Sequence, residues 1–148
     1  MVKLLLAGTG LIGHRHMQHI LEHPDLELVG VIDPLITDEK IEGVKTYHSL
    51  NDVNNVAEGI ILATPTETHA DLTIQSLEMG LHVLVEKPVA ASLQEADKMI
   101  RASEKTGLSI LVGHHRRHHP LVNETINIIK SVSYTHLTLP TTSGVYGS

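Results

Sequence analysis

Val2-Lys3-Leu4-Leu5-Leu6-Ala7-Gly8-Thr9-Gly10-Leu11-Ile12-Gly13 opens the chain, and its two halves follow different rules. Val2–Ala7 is a short aliphatic run of the kind that suits a strand covered on both faces. Gly8, Gly10 and Gly13 then stand in G-x-G-x-x-G spacing, and an amphipathic helical pattern runs from Leu11 to Glu22. The first glycine permits a tight turn out of the strand. The second lets a pyrophosphate approach the backbone, and the third lets the helix pack closely on the sheet. A helix start offers free N–H groups and the positive end of its dipole to phosphates. The motif means little alone, but between an aliphatic strand and a helix it predicts a dinucleotide loop comprising Gly8, Thr9, Gly10, Leu11, Ile12 and Gly13.

Leu28–Ile32 is the next aliphatic run, and Asp33 ends it, 20 positions past Gly13. A carboxylate there accepts hydrogen bonds from the adenosine ribose hydroxyls and repels a 2′-phosphate, so NAD is the expected cofactor. NADP stays possible, because neighbouring residues can override one carboxylate. The simpler reading is that Asp33 opens a turn before Pro34.

Further strands are predicted at Gly59–Ala63, His82–Val85 and Ser109–Val112, with a weaker one at Val44–Tyr47. Helices are predicted at Thr68–Met79, Leu93–Lys105 and Pro120–Ile129, and at most a short one within Ser49–Val56. Ser92 and Glu95 have capping-box spacing, and Gly80 and Gly107 fall just past helix ends. Six strands joined by right-handed crossovers predict an α/β, doubly wound parallel sheet, the Rossmann fold.

Composition narrows the function. The 148 residues are 41% hydrophobic and 19% charged, enough for one domain with a real core. With no Phe and no Trp, that core must be aliphatic. A net charge of −6 argues against nucleic acid as the partner. No apolar run approaches the roughly 18 residues that span a bilayer, so no membrane partner is expected. The first residues resemble a signal-peptide start, but Gly8 and Gly10 interrupt them and a cytoplasmic setting is expected. Absence of cysteine excludes disulfides, thiolate catalysis and cysteine-ligated metal. The twelve histidines include His14, His16 and His19 and the group His114, His115, His118 and His119, but no H-E-x-x-H pattern, so no metal site is expected.

Three further motifs follow predicted strands: Ala63-Thr64-Pro65-Thr66-Glu67-Thr68-His69, Glu86-Lys87-Pro88 and Gly113-His114-His115-Arg116-Arg117. With the glycine loop, they make residues 1 to about 130 resemble the glucose–fructose oxidoreductase, inositol dehydrogenase and MocA (Gfo/Idh/MocA) family. The resemblance implies that Ala63, Thr64 and Pro65 line the nicotinamide end of the cofactor cleft, with His69 orienting that turn. It implies that Lys87 is the active-site lysine, that Lys87–Pro88 is a cis peptide, and that Glu86 is a structural or cofactor-proximal carboxylate. A partly desolvated lysine beside a cationic ring can move a substrate hydroxyl proton. Without the resemblance, Lys87 reads as a surface lysine paired with Glu86. Arg116 and Arg117 are implied to face cofactor or substrate, where guanidinium groups suit a polyhydroxylated or anionic molecule.

From Ser131 to Ser148 the sequence holds no Asp, Glu, Lys or Arg. Val132–Thr141 resembles the translation of a sequencing-library adapter, so the domain is expected to be residues 1–130 and 131–148 a tail foreign to it. Family members carry a second α/β domain with most of the substrate pocket and usually the oligomer interface, and these 148 residues are expected to be a fragment that stops short of it. The parent is therefore expected to be an NAD(P)-dependent dehydrogenase of a sugar, inositol or related polyol, homo-oligomeric at full length. The chain alone is expected to be inactive and to expose apolar surface. The alternative is a dinucleotide-binding module without chemistry, a sensor or scaffold.

Overall fold

The computed structural model describes residues 1–54, 57–114 and 120–131, apart from the side chain of residue 123. It divides into one unit of residues 1–114 and a second of 115–148. Arg116, Arg117 and the tail from residue 132 lie outside the described residues.

The first unit runs β1 (Val2–Ala7), α1 (Leu11–Glu22), β2 (Leu26–Ile32), β3 (Lys40–Ile41), β4 (Val44–Tyr47), β5 (Gly59–Leu62), α2 (His69–Glu78), β6 (His82–Val85), α3 (Leu93–Thr106) and β7 (Ile110–Val112). Short 3-10 turns at Leu50–Asp52 and Thr66–Thr68 precede β5 and α2. In the second unit, α4 spans Pro120–Ser131. The sheet order is β3-β4-β2-β1-β5-β6-β7. β1 is flanked by β2 and β5, both parallel to it, so the winding reverses at β1. That reversal opens a crevice at the carboxyl ends of the strands, where ligands bind in such sheets.

The sheet has seven strands, not the expected six. The extra one, β3, pairs antiparallel with β4 at the sheet's edge. Glu42 and Gly43, both at positive φ (50° and 80°), make a two-residue hairpin turn between them. Two residues are too few to show any hydropathy period, which is why β3 escaped the sequence reading.

Neighbouring strand residues bury on opposite faces, the consequence of a side-chain period of two. Leu5, Ile60, Leu62 and Val83 join Ala70 and Leu77 of α2 and Met99 of α3 in one core. Leu6, Val31 and Ile61 join Met17 and Ile20 of α1 in the other. β1 and β5 are therefore apolar on both faces because both faces are covered, as the runs predicted. Toward β7 the cover thins, and Leu4, Ile61, Leu84 and Leu111 line an apolar groove. Among the described residues no helix is long and apolar enough to cross a membrane.

Gly80 and Gly107 take the left-handed conformation expected beyond α2 and α3. The α3 cap differs in detail from a regular box. Ser92 Oγ accepts the Glu95 N–H at 3.2 Å, but the Glu95 carboxylate reaches the Ala91 N–H at 2.9 Å rather than that of Ser92. Ser92→Ala should cost about 1 kcal/mol, read as a lower midpoint in urea unfolding with an unchanged slope. Ser92→Asp should keep most of that stability. A full reciprocal cap occurs instead at Ser49, whose N–H donates to Asp52 Oδ2 (3.0 Å) while its Oγ accepts from Asn51 (3.2 Å).

Candidate functional site

The crevice over β1 is built first by close backbone contact. A Cβ on Gly8 (φ 93°) would lie 2.4 Å from the Ala63 carbonyl oxygen, and one on Gly13 would lie 2.0 Å from that of Gly8. The loop is thus wedged between the end of β5 and the start of α1. Gly10 is different, since a Cβ there would meet nothing within 4 Å. The middle glycine faces open space where a ligand can approach.

α1 starts without a side-chain cap or an acidic residue in its first turn. Its first internal bond is His14 N–H to the Gly10 carbonyl at 2.9 Å. The N–H groups of Leu11, Ile12 and Gly13 therefore have no partner along the helix.

Asp33 does two things at once. Its Oδ1 accepts the Leu35 N–H at 3.0 Å, so the turn-opening reading holds. Its Oδ2 accepts both the Thr9 hydroxyl at 2.6 Å and the Thr9 N–H at 3.0 Å. Burial pushes the carboxyl up, but the Thr9 hydroxyl and the Leu35 and Thr9 amides outweigh it and hold Asp33 below the usual carboxylate range. Its contribution to stability is therefore fully present above pH about 4 and is lost as pH falls through the lower folded value. Beside Asp33, Ile32 and Pro34 border a cavity of about 480 Å³ whose far wall includes Thr64, Pro65, Thr68 and Leu72.

His69 is only 1% exposed and joins two of the motifs. Its Nε2 lies 2.9 Å from the Thr64 carbonyl oxygen and its Nδ1 2.9 Å from that of Pro88. The Thr68 hydroxyl lies 2.8 Å from both Thr64 Oγ1 and the Pro65 carbonyl, closing the same turn. The Lys87–Pro88 peptide is cis.

Glu86 is buried and faces inward. Its Oε1 lies 2.9 Å from His16 Nε2, and its Oε2 accepts the Lys87 N–H at 3.3 Å. A Cβ on Gly113, just past β7, would come within 2.8 Å of the same carboxylate, so a larger residue there would have to displace the end of the Glu86 side chain. Among the described residues the side-chain partner of Glu86 is the His16 imidazole, not the Lys87 ammonium. Lys87 itself is exposed. The His16 role was missed in the sequence, where the residue stood out only as one of a histidine group on α1. It lies 70 positions from Glu86, and nothing local announces the pairing.

A sheet wound in this order, a glycine loop at its switch point and an acid closing the second strand define a dinucleotide-binding Rossmann domain. Residues 2–114 match the model of the Gfo/Idh/MocA oxidoreductase family with its NAD-binding Rossmann fold, and the chain belongs to that family. It is similar to the 4-carboxy-2-hydroxymuconate-6-semialdehyde dehydrogenase of Sphingobium sp., 32% identical over 80% of this chain and 40% of that protein. It is 32% identical to the scyllo-inositol 2-dehydrogenase (NAD(+)) of Bacillus subtilis over 80% of this chain and 37% of the relative. The WlbA dehydrogenase of Bordetella pertussis, solved with NADH and UDP-GlcNAcA, superposes with a TM-score of 0.80 at 28% identity, covering 87% of this chain and 39% of the other. The chain thus spans about two fifths of the length of these relatives.

Proposed function

We propose that this chain is the cofactor half of an NAD-dependent dehydrogenase that oxidises a secondary hydroxyl of a sugar, inositol or related polyol. The observation that carries the reading is convergence. Gly8–Gly13, Asp33, Thr64–Pro65 and Glu86–Pro88 come from four separate strand ends and are tied together by Thr9–Asp33, His69 and His16–Glu86. In this reading the α1 amides receive the pyrophosphate, Asp33 receives the adenosine ribose, and the cavity beyond Pro34 takes the adenine. Ala63, Thr64, Pro65, Glu86, Lys87 and Pro88 frame the nicotinamide, which supplies a hydride acceptor when bound.

Lys87 would hold the substrate hydroxyl and move its proton. The exposure of Lys87 supports a division of labour in which further protein completes the pocket, desolvates the lysine and provides the oligomer interface. The residues 131–148 would then be foreign to the domain, and the enzyme would work in the cytoplasm with a small-molecule substrate and neither nucleic acid nor membrane. The same exposure favours the second reading for the 148 residues taken alone, a binding module without turnover.

Titration of NADH into the 148-residue chain, followed by nicotinamide fluorescence and calorimetry, tests the cofactor site. Saturable one-site binding is expected, and Asp33→Ala should weaken it about tenfold, the size of one charge-assisted hydrogen bond. A chain with native circular dichroism and no saturable binding would overturn the reading.

A further inference from the structure

Asp33 can discriminate between cofactors only if its carboxylate is held in one orientation, and the group that holds Oδ2 lies outside its own turn. A carboxylate has about four acceptor positions. Thr9 fills two of them on Oδ2, through its hydroxyl at 2.6 Å and its N–H at 3.0 Å, and Leu35 fills one on Oδ1 at 3.0 Å. The remaining position is on Oδ1. The Thr9 hydroxyl has given its only proton to Asp33, so what it presents outward is lone pairs.

We propose that Thr9 is a specificity-determining residue of the cofactor site, forming with Asp33 a pair of acceptors that reads an unmodified ribose diol and refuses a 2′-phosphate. The inference rests on the NAD site proposed above. A free diol offers two O–H donors to two acceptors, Asp33 Oδ1 and Thr9 Oγ1. A 2′-phosphate brings negative charge and acceptor oxygens to the same place, where neither Asp33 nor the Thr9 hydroxyl has a donor to meet them. The chain that follows Asp33 is acidic as far as Glu39, with Lys40 next and His48 the basic side chain lining the neighbouring cavity. Residues 33–39, Asp-Pro-Leu-Ile-Thr-Asp-Glu, contain three acids and no Lys, Arg or His. Glu67 and Asp71 line the cavity that starts at Pro34. The low-lying Asp33 carboxyl is a further consequence of the Thr9 bond, since the hydroxyl hydrogen-bonds the charged form.

The test compares wild type, Thr9→Val, Thr9→Ala and Thr9→Ser in the 148-residue chain. Calorimetry gives Kd for NAD and for NADP at one ionic strength, and carbon-13 NMR follows the Asp33 carboxyl through its titration without cofactor. Val and Ala should each weaken NAD about five- to tenfold and change NADP less than about twofold, so that the preference narrows. Ser should stay near wild type, and the Asp33 titration should move up in Val and Ala only. Equal weakening of both cofactors would mark a loop defect and overturn the inference, as would an unchanged ratio in both hydroxyl-free variants. A wild-type chain that binds neither cofactor overturns the NAD site itself. A wild type that binds NAD while Val and Ala keep its preference overturns the Thr9 role alone.

Discussion

Gly13→Ala is expected to cost the fold about 3 kcal/mol and to reduce NADH affinity about a hundredfold or more. The added Cβ would sit 2.0 Å from the Gly8 carbonyl oxygen and 2.9 Å from its carbonyl carbon. Those are backbone atoms, so no rotamer change relieves the overlap. Gly8 cannot retreat either, because its own Cβ position is already 2.4 Å from the Ala63 carbonyl oxygen at the end of β5. α1 must back away from the sheet, taking Met17 and Ile20 out of their core and the Leu11, Ile12 and Gly13 amides away from the proposed phosphate position. Overpacking of this kind costs about 1–3 kcal/mol when side chains yield, and a rigid partner belongs at the upper end. Gly10→Ala is the matched control, with open space around it and an ordinary φ of −66°. It should fold within about 1 kcal/mol of wild type and still lose cofactor, since its methyl fills the ligand's approach. Urea unfolding separates the two variants, and a Gly13→Ala chain of wild-type stability would show that helix and loop are not in close contact.

The parallel sheet was legible because Val2–Ala7, Leu28–Ile32 and Gly59–Ala63 are aliphatic on both faces, and only a covered central strand has use for that. Boundaries slipped where a polar residue interrupts the aliphatic run but not the ladder. Leu26 and Glu27 pair with Val2 and Lys3, an extension that hydropathy does not mark. The site was legible in pieces. Asp33 could be placed by its spacing, but its grip on Thr9 depends on the register that sets Ala7 beside Ile32 and so brings the two loops together. The Glu86 partner illustrates the same limit. Adjacency in sequence suggested Lys87, whereas the turn after β6 points the carboxylate inward at His16 and leaves the lysine outside. The family resemblance, rather than periodicity or composition, singled out Lys87.

Lys87→Met, made in a full-length enzyme carrying this domain, is expected to lower kcat about 10²- to 10⁴-fold while changing the Kd for NAD by less than about threefold. The separation follows from how the turn is held. The Lys87 N–H bonds to Glu86, Glu86 is fixed by His16, and the Pro88 carbonyl is fixed by buried His69. None of these bonds uses the lysine side chain, so its removal should leave the turn, the cofactor cleft and the stability of the fold in place. What would be lost is the group proposed to move the substrate proton. Lys87→Arg sharpens the experiment, because a guanidinium keeps the positive charge but does not release a proton in the working range. If Lys87 acts through charge alone, arginine restores much of the rate; if it moves a proton, arginine is nearly as impaired as methionine, which is the expected result. Steady-state kcat and KM with a polyol substrate, alongside NADH titration of each variant, distinguish these outcomes. Undiminished turnover in Lys87→Met would return Lys87 to a surface role. A full-length protein that binds NAD tightly yet oxidises no polyol with Lys87 intact would make the domain a cofactor-binding module.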